Sequence, residues 1–271
     1  MPVASEGKPV SVQPAVVAGA EPMSVDGTGA PGRIGVLVSH GFTGSPFSMR
    51  PWAQHLAEAG FTVRMPLLPG HGTSWQDLNA TRWTDWYAEV RRAYTDLAGR
   101  CDSVFLAGLS LGGTLVLRLA EEFSGDGKLA GTIVVNPALG TLRKDAGFAK
   151  YIAWAVKSRP GIGNDIKKSG VDEHGYNRTP LKALVSMMQL WQLTTADLGK
   201  ITVPVLFYHS TEDHVVDALS GQLLHAGVTN AELTEIPLHN SYHVATLDND
   251  AEQIHAGSVE FINARVRAAE A

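Results

Sequence analysis

The stretch VFLAGLSLGGTLVLRLA, residues 104–120, decides the reading of the whole chain. Its first four residues, Val-Phe-Leu-Ala, are all apolar, as in a buried strand. Its last seven carry the pattern of a helix. Between them stands Gly108-Leu109-Ser110-Leu111-Gly112, a G-x-S-x-G motif with a strand before it and a helix after it. A serine in that position occupies a strained strand-to-helix turn. Side chains at 108 and 112 would collide across such a turn, so both are glycine. The turn lifts the Ser110 hydroxyl clear of the sheet edge and puts the first amides of the helix beside it, where negative charge can be stabilised.

Outward from this turn, strand alternates with helix. Order is expected from Ile34, with IGVLVSH as a buried parallel strand, a helix through Trp52, Leu56 and Ala59 stopped by Gly60, and a second strand at Phe61–Leu68. A helix over Trp83–Leu97 closed by Gly99, strands at Ser103–Ala107 and Thr132–Val135, and a helix at Thr114–Phe123 follow. Residues 140–200 break the rhythm. They read as strandless, with short helices at Tyr151–Val156 and Leu181–Leu193 flanking a polar loop, Gly161–Tyr176. The alternation resumes with strand Val203–Tyr208, helix Ala218–His225, strand Glu232–Ile236 and a helix over Ala251–Ala268. This predicts a mostly parallel sheet with helices on both faces. A small helical cap is inserted after the fourth parallel strand, over about 140–200. Residues 1–32 are expected to be a flexible tail with an edge strand near Val10–Val17, and 33–271 a single domain.

Ser110 requires a base and an acid, which follow it in chain order in such a sheet. His243, in Asn240-Ser241-Tyr242-His243-Val244, lies after the last strand, where the base belongs, with His239 as the nearest rival. His255 reads as a solvated helix residue and His225 as a cation closing its helix. Asp213 follows strand Val203–Tyr208 and is the chosen acid, with Glu212 and Asp217 as alternatives. The acid would fix the tautomer of the imidazole and stabilise its cation. Backbone N–H groups of Leu111 and of Phe42, in His40-Gly41-Phe42-Thr43-Gly44, are the expected oxyanion hole. His40 and His71 read as loop-shaping histidines.

The chain has 271 residues, 44% hydrophobic and 18% charged, with a formal net charge of −5. That composition suits a folded globular core and gives no basic surface for nucleic acid. One cysteine, Cys101, excludes an intrachain disulfide framework and cysteine-based metal sites, and reads as a packing residue. No metal-ligand spacing and no dinucleotide-binding G-x-G-x-x-G is visible, so neither metal nor cofactor is expected. No signal peptide and no spanning segment is read, and a cytoplasmic location is expected.

The residues HGFTGSPFSMRPWA (40–53), LPGHGT (68–73), GLSLGGTL (108–115), EDHVV (212–216) and NSYHVATLD (240–248) resemble the α/β-hydrolase superfamily. Within it they resemble bacterial monoacylglycerol lipases and small thermostable carboxylesterases. The resemblance implies an α/β-hydrolase fold, a triad of Ser110, Asp213 and His243, and an oxyanion hole at Phe42 and Leu111. It also sets Glu173 where these lipases hold a cap carboxylate that contacts the glycerol hydroxyls. The expected activity is hydrolysis of carboxylic esters, foremost monoacylglycerols, through an acyl-enzyme. A short-chain carboxylesterase or lactonase is the alternative, and a non-catalytic ligand-binding member of the fold a more remote one. Leu184, Met187, Met188 and Trp191, spaced i, i+3, i+4, i+7, are the candidate acyl-chain face. The expected partner is a small-molecule or lipid monoester, met by transient contact with lipid aggregates rather than by stable insertion.

Overall fold

The computed structural model describes residues 15–270. Its strands are β1 (Met23–Val25), β2 (Ile34–Ser39), β3 (Thr62–Met65), β4 (Ser103–Leu109), β5 (Leu129–Val135), β6 (Ser158–Pro160), β7 (Arg178–Pro180), β8 (Val205–Ser210) and β9 (Leu233–Leu238). The helices are α1 (Arg50–Glu58), α2 (Trp75–Ala80), α3 (Trp83–Arg100), α4 (Leu111–Phe123), α5 (Lys144–Ile152), α6 (Leu181–Asp197), α7 (Leu219–Gly227) and α8 (Ala251–Glu270). Seven strands form one sheet in the order β1-β3-β2-β4-β5-β8-β9. All neighbours are parallel except β1, which runs antiparallel to β3.

Strand alternation sorts the core into two layers. Leu37, Leu106 and Val134 face a cluster with Trp86, Tyr94 and Leu97 of α3, most of α4, and Ala183 and Leu190 of α6. Val36, Val38, Phe105, Ala107, Ile133 and Val135 face the opposite cluster, closed by Trp52 and Leu56 of α1 and Ile254 and Ile262 of α8. The chain leaves β2 toward β3 on one side and later returns to place β4 on the other. The carboxyl ends of β2 and β4 therefore flank a point where the connections diverge, the place where open parallel sheets bind ligands.

Several local expectations are corrected. An edge strand lies at Met23–Val25, paired with Met65, Arg64 and Val63; of the expected Val10–Val17 span, residues 10–14 lie outside the described residues and 15–17 are not strand. Residues 15–32, read as part of a loose tail, are therefore tied down, and Arg64 pairs with Asp26 and Asp96 at that edge. A three-residue strand is too short to show a period. The cap is not strandless, because β6 and β7 pair antiparallel with Arg159 opposite Thr179. Each arm ends at a proline, Pro160 or Pro180, which hid the pairing. The first cap helix is Lys144–Ile152 rather than Tyr151–Val156. Helix α2 adds an element that the sequence pattern does not predict; Ser74 caps it by accepting from Asp77 N at 3.2 Å. Gly99 lies inside α3, one residue before the helix ends at Arg100, and a Cβ there would meet nothing, so the position neither requires glycine nor stops the helix. No helix among the described residues is long and apolar enough to cross a membrane.

Trp52 is fully buried, and its indole N–H donates to Ser258 Oγ at 3.1 Å, joining α1 to α8. Trp52→Ala is expected to lower unfolding free energy by about 3–5 kcal/mol, read from urea denaturation. A loss below about 1 kcal/mol would show that this layer collapses around the cavity.

Candidate active site

Ser110 joins β4 to α4 with φ 55° and ψ −119°, a backbone conformation that non-glycine residues rarely hold. Two close approaches force it. A Cβ at Gly108 would stand 2.4 Å from Gly112 O, and one at Gly112 would stand 2.1 Å from Ser39 O. Ser110 N donates to Val135 O at 3.0 Å, and Ala138 N donates to Ser110 O at 3.2 Å, so the neighbouring strand holds the turn. Leu111 begins α4, and its N–H is one of the helix's unshared donors.

The loop after β2 lies against this turn, with Ser110 Cβ only 3.3 Å from where a Cβ on Gly41 would be. His40 shapes that loop, as expected. Its Nδ1–H donates to Gly41 O at 3.1 Å and its Nε2 accepts from Leu68 N at 3.1 Å. Burial pushes its pKa down to about 4, so the ring is neutral at physiological pH. His71 stacks edge-on against it at 5.0 Å. Phe42 follows Gly41, and both line the same cavity as Ser110.

His243 and Asp213 meet as the chain order anticipated. The two side chains are 8% exposed each, and His243 Nδ1–H donates to Asp213 Oδ2 at 2.8 Å. The other oxygen of Asp213 accepts from Val215 N and Val216 N, both at 2.8 Å. Burial alone would raise the Asp213 pKa; the adjacent His243 and the two amides outweigh it and hold the carboxyl below the usual range. Burial likewise opposes charging of His243, but the Asp213 carboxylate outweighs it and raises the imidazole pKa above its ordinary value, with Glu173 and Asp165 adding to the effect. The alternative acids go elsewhere. Glu212 is an exposed partner of Lys167, and Asp217 accepts from Thr141 Oγ1 and Leu142 N at the entry to the cap. His239 is exposed. His255, expected to be solvated, is instead buried beside His55, because α8 packs that face on α1.

A cavity of about 480 Å³ holds Ser110 and His243. Leu184, Met187 and Trp191 of α6 line it, and Glu173 and Asp165 reach it from the cap loop. Met188 does not line it and packs at the edge of the main core instead. Glu173 is half-buried beside Gly44 and Gly175, and burial pushes its carboxyl up to about 7. A larger crevice of about 1040 Å³ lies behind Asp213, between β8, α7 and β9, and includes neither Ser110 nor His243.

Three supporting residues were missed. Asn136, at φ 43°, donates to His243 O at 2.8 Å and accepts from Ser210 N at 2.8 Å. Asp248 accepts from Lys167 N, Lys168 N and Tyr242 N. Asp165 accepts from His243 N at 3.1 Å and His214 N at 3.2 Å. Only Asn136 left a signal, an Asn-Pro pair directly after a strand. The other two act on backbone amides distant in sequence.

Residues 36–256 match the alpha/beta hydrolase family. The chain is 39% identical over 258 residues to the thermostable monoacylglycerol lipase of Bacillus sp. (strain H-257), covering 93% of this chain and 98% of that one. It is 24% identical to the carboxylesterase of Bacillus subtilis (strain 168), over 84% of this chain and 91% of that one. A solved structure from work on the metagenome-derived lipolytic enzymes LipS and LipT superimposes with a TM-score of 0.86 at 42% identity, covering 92% of this chain and 99% of that one. With a sheet, a serine turn and a histidine–aspartate pair of this arrangement, the chain belongs to the alpha/beta hydrolase family.

Proposed function

We propose that this protein is a serine hydrolase of carboxylic esters whose substrates are monoacylglycerols, cleaved to fatty acid and glycerol. The observation that carries the reading is the single cavity shared by strained Ser110, by His243 paired to Asp213, and by the apolar face of α6. Similarity to the Bacillus sp. lipase over nearly the whole chain supports the monoester choice. The similarity to a carboxylesterase keeps short-chain esters as the second reading.

In this reading His243 takes the Ser110 proton as Oγ attacks the ester carbonyl. The amides of Phe42 and Leu111 stabilise the tetrahedral oxyanion, and Asp213 stabilises the imidazolium. His243 then protonates the departing alcohol, and water repeats the sequence on the acyl-enzyme. Leu184, Met187 and Trp191 hold the acyl chain, and Glu173 accepts hydrogen bonds from the glycerol hydroxyls. A cytoplasmic setting is part of the proposal, with which a single buried cysteine, Cys101, is compatible.

Three measurements test it. Ser110→Ala should cut turnover of a monoacylglycerol by about 10⁴-fold or more, and a fluorophosphonate probe should label the wild type at Ser110. Near-wild-type turnover in the variant would move the nucleophile elsewhere.

The base must be neutral, so kcat/KM falls as pH drops through the His243 pKa. Because the Asp213 carboxylate raises that pKa, the acid limb is expected to have its midpoint above 6.5, the ordinary histidine value. A midpoint well below that value would argue against a base paired to an ionised Asp213.

Met187→Trp fills the acyl side of the cavity. Each excluded methylene forfeits about 0.8 kcal/mol, so four lose about 3 kcal/mol and kcat/KM for long chains drops on the order of 10²-fold. Rates on C4 and C12 monoesters give the test; a C12-to-C4 ratio within about twofold of wild type would place the chain elsewhere.

A further inference from the structure

The loop between β6 and β7 contributes a buried carboxylate that the proposed chemistry does not use. Asp165 lies beside His243, and one of its oxygens, Oδ2, accepts from two backbone amides at once: His214 N at 3.2 Å and His243 N at 3.1 Å. The first amide follows Asp213 directly, in the loop after β8. The second belongs to the histidine itself, in the loop after β9. The other oxygen, Oδ1, meets His214 Nδ1 at 2.8 Å, and the Asp165 carbonyl accepts from Val244 N at 3.1 Å.

The grip comes from the cap side. From the sheet side, Asn136 and Ser210 hold the same loop at His243 O and Tyr242 O. The His243 backbone is therefore fixed on both faces, and the Asp213–His243 contact spans two loops joined at Asp165.

Resting on the reading of this site as a serine hydrolase, we infer that Asp165 is a positioning residue: the cap, through this one carboxylate, sets the distance and angle between the acid and the base. Its charge also acts on the imidazole. The charged groups facing His243 are Asp213, Glu173 and Asp165, and His214 in turn faces Asp165, Glu212 and Asp213. A group displaced by about 1 Å costs up to about 10²-fold in rate.

Asp165→Asn and Asp165→Ala separate the two effects. Asparagine keeps an oxygen for the two amides and removes the charge, whereas alanine removes both. Turnover of a monoester and the rate of Ser110 labelling by a fluorophosphonate are measured across pH, well below each variant's melting temperature. In Asp165→Ala, kcat and labelling should fall about 10- to 100-fold with KM changed less than about threefold. In Asp165→Asn the loss should stay within about fivefold, and the acid limb should move to lower pH, because a negative charge beside His243 is gone.

Should Asp165→Ala work within about threefold of wild type with an unmoved acid limb, the inference falls. It falls equally if both variants, folded, lose activity alike with an unmoved limb, or if Asp165→Ala does not fold and Asp165→Asn keeps the wild-type limb. Each of those results differs from failure of the underlying reading, in which the wild type itself would neither turn over esters nor label at Ser110.

Discussion

The backbone of α4 passes so close to the end of β2 that position 112 has no room for a Cβ beside Ser39 O. Together with the similarly close approach of position 108 to Gly112 O, it governs the rest. It sets the helix directly against the strand end, which forces Ser110 into a conformation ordinary residues avoid and aims its hydroxyl out of the sheet. It also brings the β2 loop, with Gly41 and Phe42, against the same turn. The two N–H groups assigned to the oxyanion thus come from elements held together by backbone contact rather than by flexible side chains. Such groups need little reorganisation as charge develops, which is the source of most electrostatic catalysis.

Around His243 the constraint is one of charge. Asp213 is buried, yet its oxygens are occupied by two backbone amides and the imidazole of His243. A buried carboxylate without such partners would take up a proton rather than stay ionised. Glu173 has no such set of amides, and its carboxyl is pushed up to about 7. The protein thus holds the Asp213 carboxyl below its usual range beside the imidazole and raises that of Glu173, on the cavity wall, toward neutrality, where it can donate as well as accept. Glycerol hydroxyls can do both, which suits a partner of that kind.

Much of this was legible in the sequence, for stated reasons. The serine turn announces itself because only glycine fits on either side, and Asp213 follows a strand with a plain apolar run, VLFY, while His243 follows an amphipathic one, LTEIPL. Periodicity failed where elements were short. Met23–Val25, Ser158–Pro160 and Arg178–Pro180 span three residues each, below the length at which alternation can be seen. It was also too coarse on α6: the spacing of Leu184, Met187, Met188 and Trp191 defines one broad face, and only the position of the cavity tells which of these side chains reach it. Asp165 and Asp248 were invisible because an acceptor for distant amides leaves no local pattern.

Helix α6 belongs to two structures at once. Ala183, Leu190, Met187 and Trp191 are part of the main core against α4, while Met187 and Trp191, with Leu184, also form the cavity wall. Changes in pocket size therefore have unequal consequences. Under the proposed placement of the acyl chain on this wall, a lineage adapting to shorter chains can add bulk to it and gain buried contact as it does so. A lineage adapting to longer chains must remove atoms that support the sheet, with a loss of about 2–5 kcal/mol for a large-to-small exchange. Since natural domains hold only about 5–15 kcal/mol in reserve, the evolutionary path toward smaller substrates is open, and the path toward larger ones needs compensating stability elsewhere in the fold first.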